Sequence, residues 1–206
     1  MRKANVPVVL IAHPPVTGCD SIRSESASSA EQLTLRLLDH GRRKPLFIGD
    51  PATSYDVSER YAGFSEALRK RDLEPPEPER VPLTEEAGTT VAQKLLQATT
   101  RPDSLICAND ELALAALKTL RAAGVAVPGD IVVTGWDDVM AARYVSPGLT
   151  TVRQPMAELG RLAAQRLHER VTGERTRARN DVLATQLVLR DSCGTGPGEA
   201  GTAVTD

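Results

Sequence analysis

The chain has 206 residues, of which 41% are hydrophobic and 25% charged, a balance that allows a buried core and excludes global disorder. Its formal net charge of -2 excludes the basic excess of a dedicated nucleic-acid surface, and no apolar run approaches the roughly 18 residues that cross a bilayer. The three cysteines, Cys19, Cys107 and Cys193, lack CxxC spacing and suit reduced thiols, and the apolar stretch after Met1-Arg2-Lys3 is too short for a secretory signal, so a cytoplasmic location is expected.

In chain order, residues 6–12 (VPVVLIA) form a solid apolar run of the buried-strand type. Ser24-Glu25-Ser26 then opens a helix to about His40, with Ala27, Ala30, Leu33 and Leu37 at helical spacing and Gly41 as its stop. Residues 46–49 (LFIG) read as a strand, residues 50–56 as a polar loop, and Tyr61, Phe64 and Leu68 as one face of a second helix. Pro75, Pro76 and Pro78 make residues 74–80 a linker. A short strand is expected at 80–83, followed by a helix from Thr84 with Glu85 and Glu86 where the macrodipole favours acid. Residues 104–108 (SLICA) are a buried strand, then Asn109-Asp110 opens a helix ending at Gly124. A turn at 127–130 leads into the strand 131–135 (IVVTG) and Trp136-Asp137-Asp138. Residues 150–154 are extended, an amphipathic helix spans 156–171, and 182–190 is a last strand. Residues 191–206, rich in Gly, Thr and Pro, are expected to be a disordered tail.

Alternating strands and helices with solid apolar strands specify an α/β fold, a parallel sheet flanked by helices. Ligands of such sheets bind beyond the carboxyl ends of the strands. Arg60, Asn109 and Asp137 occupy that region, and a guanidinium, an amide and a carboxylate together suit a polyhydroxylated or heterocyclic small molecule. Structural roles compete with this reading. Asp110 and Asp138 fit helix N-caps, Asn109 could bond loop backbone, Arg60 could be solvated, and Trp136 could be core. Arg175, Arg177 and Arg179 read as a solvated loop. Of the three histidines, only His13 follows a strand near the crevice. The sequence has no GxSxG elbow, P-loop or HExxH, and the glycine-rich run at 194–198 lies in the tail with no strand before it. Asp137-Asp138 could suggest a magnesium pair, but no partnering lysine or nucleophilic aspartate stands at another strand end. Neither catalysis, a metal nor a cofactor is expected.

Three ordered runs carry a resemblance: residues 108–113 (ANDELA), 124–138 (GVAVPGDIVVTGWDD) and 147–155 (PGLTTVRQP). With Gly160, Ala163, Leu167 and the ending Leu189-Arg190-Asp191-Ser192, and upstream residues 6–11 and 59–64 (ERYAGF), the chain closely resembles the LacI/GalR family of bacterial transcription regulators over residues 6–192. The resemblance implies a type I periplasmic-binding-protein-like effector domain, in which two α/β subdomains hold a small molecule between them. By position, Arg60, Asn109 and Asp137 match effector-contacting residues. Leu83 stands where the family often carries a ligand-stacking aromatic. Leu114 and Tyr144 match positions of a homodimer interface. The resemblance further implies that residues 25–152 are a complete carboxyl-terminal subdomain and that residues 1–24 and 153–190 are parts of the other, with strands 6–12 and 182–189 lacking neighbours. DNA would be contacted only through a helix-turn-helix headpiece that these residues do not include. The expected role is an effector-sensing and dimerisation region for a sugar or related polar ligand. The alternative is a solute-binding protein for uptake, which shares the fold.

Overall fold

The computed structural model describes residues 6–194. Its elements are β1 (Val9–Ile11), β2 (Asp20–Ser24), α1 (Ala27–Asp39), β3 (Pro45–Ile48), α2 (Tyr55–Arg69), α3 (Glu85–Gln97), β4 (Ser104–Cys107), α4 (Asp110–Ala122), β5 (Val132–Thr134), α5 (Ala141–Tyr144), β6 (Thr151–Arg153), α6 (Met156–Val171), β7 (Asn180–Leu183), β8 (Gln186–Val188) and a 3-10 turn at Asp191–Cys193.

Strands β3, β4 and β5 form a parallel sheet in that order. Their side chains alternate between its faces, as strand geometry requires. Phe47, Ile106 and Val132 pack with Leu37, Phe64 and Leu68 of α1 and α2. Ile48, Leu105, Cys107 and Val133 pack with Val91, Leu112 and Leu117 of α3 and α4. With both faces covered, the apolar runs have no solvent side, which is why they read as solid rather than alternating. Side-chain caps start three of the helices: Ser54 accepts from the Val57 amide, Thr84 from Ala87 and Asn109 from Leu112. Helices α3 and α4 cross where Gly88 lets the backbones touch, since a Cβ there would stand 2.5 Å from the Leu112 carbonyl oxygen.

A second parallel sheet has the order β1-β2-β7. Helix α6 covers it through Leu159, Leu162 and Ala163, which meet Ile22, Val9 and Leu183. Strands β6 and β8 pair antiparallel between the two sheets, and Val152 and Leu187 there pack with Ala30, Leu33 and Trp136. The backbone thus passes between the sheets three times: after β2, through β6 and through β8. These crossings touch one another. The Glu25 amide donates to the Leu183 carbonyl at 2.8 Å, and the Thr185 hydroxyl donates to the Glu25 carbonyl at 3.1 Å.

Four expectations need correction. The strands at 6–12 and 182–189 do have neighbours, because β2, hidden in the polar run Asp20–Ser24, lies between β1 and β7. The last strand is two, β7 and β8, which pair with different partners. Residues 80–83 form no strand. Only Glu79 bridges β3, through bonds of 2.9 and 3.0 Å with Phe47 and Gly49, and the surrounding prolines have no N–H to extend the ladder. The expected tail begins too early: Ser192 and Cys193 are buried. The Ser192 hydroxyl donates to the Val133 carbonyl at 2.6 Å and accepts from the Thr150 amide at 2.9 Å, sewing the 3-10 turn to the edge of β5. The remainder of that tail, with most of its glycine-rich run, lies outside the described residues.

Within the arginine group at 175–179, Arg177 and Arg179 are exposed as expected of a solvated loop, and Arg175 is not. Arg175 donates to Asp20 at 2.6 Å and to Glu169 at 2.8 Å, and Arg166 pairs with Asp181 at 2.7 Å. The three cysteines are free thiols. Among the described residues, no helix is long and apolar enough to cross a membrane.

Candidate ligand-binding site at the strand ends

Arg60 sits in the second turn of α2, on the face turned toward the end of β4, and is only 5% exposed. Its Nη1 donates to the Ala108 carbonyl at 2.5 Å, and its guanidinium lies 4.5 Å from the centre of the Trp136 ring, within cation–π range. Trp136 is therefore both buried and the platform for this charge. Burial draws the Arg60 guanidinium below its usual range, while the Asp137, Asp56 and Asp110 carboxylates oppose that shift. Three polar atoms of this group, Arg60 Nε, Asp56 Oδ1 and Trp136 Nε1, are buried without a hydrogen-bond partner. Buried polar atoms are nearly always paired, so these three have hydrogen-bonding capacity left for a ligand or water.

Asn109 follows β4 and is itself the N-cap of α4. Its Oδ1 accepts from the Leu112 amide at 3.0 Å, and its Nδ2 donates to the Leu83 carbonyl at 3.2 Å. Leu83 thus adjoins Asn109. Asp110 is not the cap. It is fully buried, accepting from the Thr151 hydroxyl at 2.6 Å and the Val139 amide at 2.9 Å. Burial pushes its carboxyl up to about 6, against those two hydrogen bonds and with help from Asp137 and Asp138. Gly135 makes room for it, since a Cβ there would run into the Asp110 carboxylate.

Asp137 and Asp138 follow β5 with φ of +115° and +56°, a backbone region that non-glycine residues adopt uncommonly and aspartate more often than most. The Asp137 amide donates to the Val152 carbonyl at 2.8 Å. Its Oδ1 accepts from Gln154 Nε2 at 2.6 Å, and the Gln154 Oε1 accepts in turn from the Ser24 hydroxyl at 2.6 Å. Burial pushes the Asp137 carboxyl up, opposed by Arg60 and by the Gln154 donor. Asp138 faces the other way. It pairs with Arg190 at 2.5 Å, Arg153 at 2.7 Å and Arg143 at 3.6 Å. Although burial pushes upward, the Arg190 and Arg153 hydrogen bonds and charges hold it below the usual carboxylate range. Asp138 therefore caps no helix; α5 starts later, after Met140. Nor does it share a site with Asp137. Among the described residues, no group of three or more His, Cys, Asp or Glu side chains is placed to hold a metal ion.

The structure brings Arg60 and the residue after Trp136 together and sets Asn109 next to the carbonyl that Arg60 holds. His13 is not joined to this group: it is exposed, and its Nδ1 bonds the Pro14 carbonyl at 2.8 Å. Leu114 lines a separate groove of about 630 Å³ along α4 and α5, with Glu85, Glu111, Lys118 and Arg121 at its margins. Tyr144, on α5, is 81% exposed. Sequence reasoning missed Asp56, Gln154 and Ser24. Gln154 lay inside a quoted motif, whereas Ser24 ends a strand that polar side chains disguise.

Residues 34–193 match the family described as the periplasmic binding protein-like domain. The HTH-type transcriptional regulator CelR of Thermobifida fusca is 33% identical over 197 residues, covering 93% of this chain and 58% of its own length. A solved LacI-family transcriptional regulator from Sanguibacter keddieii DSM 10542 is 34% identical with a TM-score of 0.83, over 92% of this chain and 74% of that one. The CelR–cellobiose complex is 33% identical with a TM-score of 0.85, over 91% of this chain and 59% of that one. The chain spans little more than half the length of the curated relatives it matches, 58% and 53% for two of them. With its parallel sheets, flanking helices and strand-end polar group, the chain belongs to the LacI family of transcriptional regulators, within their periplasmic-binding-protein-like effector domain.

Proposed function

We propose that this chain senses a small, uncharged polar effector of the sugar class for a LacI-type regulator, with Arg60, Asn109 and Asp137 as its contacts. The observation that carries the reading is the trio of unpaired buried atoms around Arg60, at the strand ends where α/β sheets bind ligands. A hydrogen bond with one charged partner contributes about 1.5–3 kcal/mol, so two or three such bonds suffice to orient a polyol. The surrounding carboxylates, Asp56, Asp110 and Asp137, outnumber the one guanidinium and disfavour a phosphorylated or carboxylate effector. The complex of the relative CelR with cellobiose supports a sugar. Leu83 would flank the ligand without stacking an aromatic on it, and His13 is a candidate from the side of β1.

The groove beside Leu114 and the exposed Tyr144 support a homodimer through α4 and α5. Contact with DNA would fall to a helix-turn-helix headpiece outside these residues, and the whole would work in the cytoplasm as a binding module without turnover. The regulators among the relatives favour sensing over solute uptake. Thermal-shift and calorimetric titration against cellobiose, ribose and nucleobases test the site. A saturable response lost in both Asp137→Asn and Arg60→Met supports it, and an undiminished response in both variants overturns the assignment. Operator-specific gel shift at low salt by these 206 residues would contradict the division between sensing and DNA contact.

A further inference from the structure

Two hydrogen bonds of 2.6 Å connect the sheets through one side chain. The Ser24 hydroxyl, at the last position of β2, donates to Gln154 Oε1, and Gln154 Nε2 donates to Asp137 Oδ1. An amide has one acceptor and one donor end. The acceptor-only carboxylate takes the NH2 end, and the Ser24 hydroxyl, by donating to the remaining oxygen, holds the amide in place against it. Were the amide reversed, its oxygen would face the Asp137 carboxylate and repel it. Ser24 is 2% exposed, so water does not readily replace it.

We propose that Gln154 is a positioning residue that sets the Asp137 carboxylate and makes its state depend on where β2 stands. The inference rests on the effector reading of Asp137 and adds to it the route by which one sheet reports to the other. Movement of β2 away from the second crossing would release the Gln154 oxygen, untether the side chain and weaken its donation to Asp137. The charged and titratable groups facing Asp137 are Arg60 and Asp56 from α2 and Asp110 from α4. From β2 itself, Arg23 acts on Asp56 and pairs with Glu59 at 3.3 Å, whereas the uncharged Ser24 reaches Asp137 through the amide.

Carboxyl-carbon NMR of Asp137 across a pH series, with no ligand added, tests this. Removing the donor with Gln154→Leu is expected to move the Asp137 titration to higher pH, because a hydrogen bond to the charged form is lost. Ser24→Ala is expected to move it in the same direction in the otherwise native chain and not at all in the Gln154→Leu background, whereas Ser24→Thr, which keeps the hydroxyl, leaves it in place. Should Gln154→Leu fold poorly, Gln154→Met, closer in length and likewise without a donor or a charge, takes its place. Three results overturn the proposal: an Asp137 titration unmoved by the Gln154 substitutions, a Ser24→Ala shift of equal size in both backgrounds, or a Ser24→Thr shift matching that of Ser24→Ala. Because no effector is present, failure of the relay would leave the effector contacts standing, and failure of those contacts would leave the titration unchanged.

Discussion

Asp110 is a fully buried carboxylate that works against the fold at neutral pH. Its carboxyl is raised from the ordinary 3.8 to about 6. Between those values the folded state binds more protons than the unfolded state, so stability falls as pH rises through the window. A shift of that size corresponds to about 3 kcal/mol at pH 7, at 1.36 kcal/mol per tenfold change. Asp110→Asn removes the charge while keeping the shape. The new amide oxygen can still accept from the Val139 amide, and its NH2 can donate to Thr151, whose hydroxyl then turns round. The variant and the native chain are therefore expected to be within about 1 kcal/mol of each other near pH 4 and to diverge with rising pH, the variant ending about 2–3 kcal/mol more stable at pH 7–8. Urea unfolding at several pH values measures this, and the difference between the two curves cancels the titrating groups that do not interact with Asp110. A pH-independent difference would show that Asp110 is not held in the raised state, and the account of its burial would be wrong.

Asp138 should behave in the opposite sense. Its carboxyl is held low by Arg190 and Arg153, so the stability it contributes is present above the ordinary carboxylate range and is lost as pH falls below it. Asp138→Asn is expected to cost about 2 kcal/mol at pH 7, with the deficit shrinking in acid; the same urea series reads it. Gly88→Ala forces a methyl against the Leu112 carbonyl at 2.5 Å and is expected to cost about 1–3 kcal/mol by overpacking, measured by thermal or urea unfolding. Leu114→Asp places a charge in the groove beside α4 and is expected to shift the chain from dimer to monomer in analytical ultracentrifugation, with some loss of stability because Leu114 also packs on the core; an unchanged mass would exclude that face.

The central sheet was legible because β3, β4 and β5 are covered on both faces, so their sequences are uniformly apolar and bounded by capping residues. The second sheet was not. Its middle strand, Asp20–Ser24, buries Asp20, Ser21 and Ser24, and these polar side chains are satisfied by partners far along the chain. Asp20 takes hydrogen bonds from Arg175 and the Arg179 amide, Ser21 donates to the His13 carbonyl and Ser24 to Gln154. A hydrophobicity pattern cannot register a strand whose burial is compensated, at Asp20 and Ser24, by residues more than a hundred positions away. The strand-end rule points to Arg60, Asn109 and Asp137 and leaves Asp138 as a helix cap, a role the structure replaces with its arginine partners. The opposite fates of Asp137 and Asp138 depend on a left-handed backbone turn and on Arg153 and Arg190, which adjacency in sequence does not reveal. Asn109 shows the reverse lesson. The sequence assigns capping to Asp110 and loop-backbone bonding or ligand contact to Asn109, yet the Asn109 oxygen caps α4 while its nitrogen donates to the Leu83 carbonyl.

The three neighbouring passages between the sheets restrict how the molecule can deform. A single connecting strand would let one half swivel in any direction or drift away. Three straps anchored side by side, with β6 hydrogen-bonded to β8 and Glu25 bonded to Leu183, leave one soft coordinate: torsion about the line on which they lie. Displacement along any other direction must stretch at least one strap or break its lateral bonds. Closure on a small molecule then becomes a problem in one angle, and a proteolytic cut in any single strap should leave the two halves joined and still turning about the same axis.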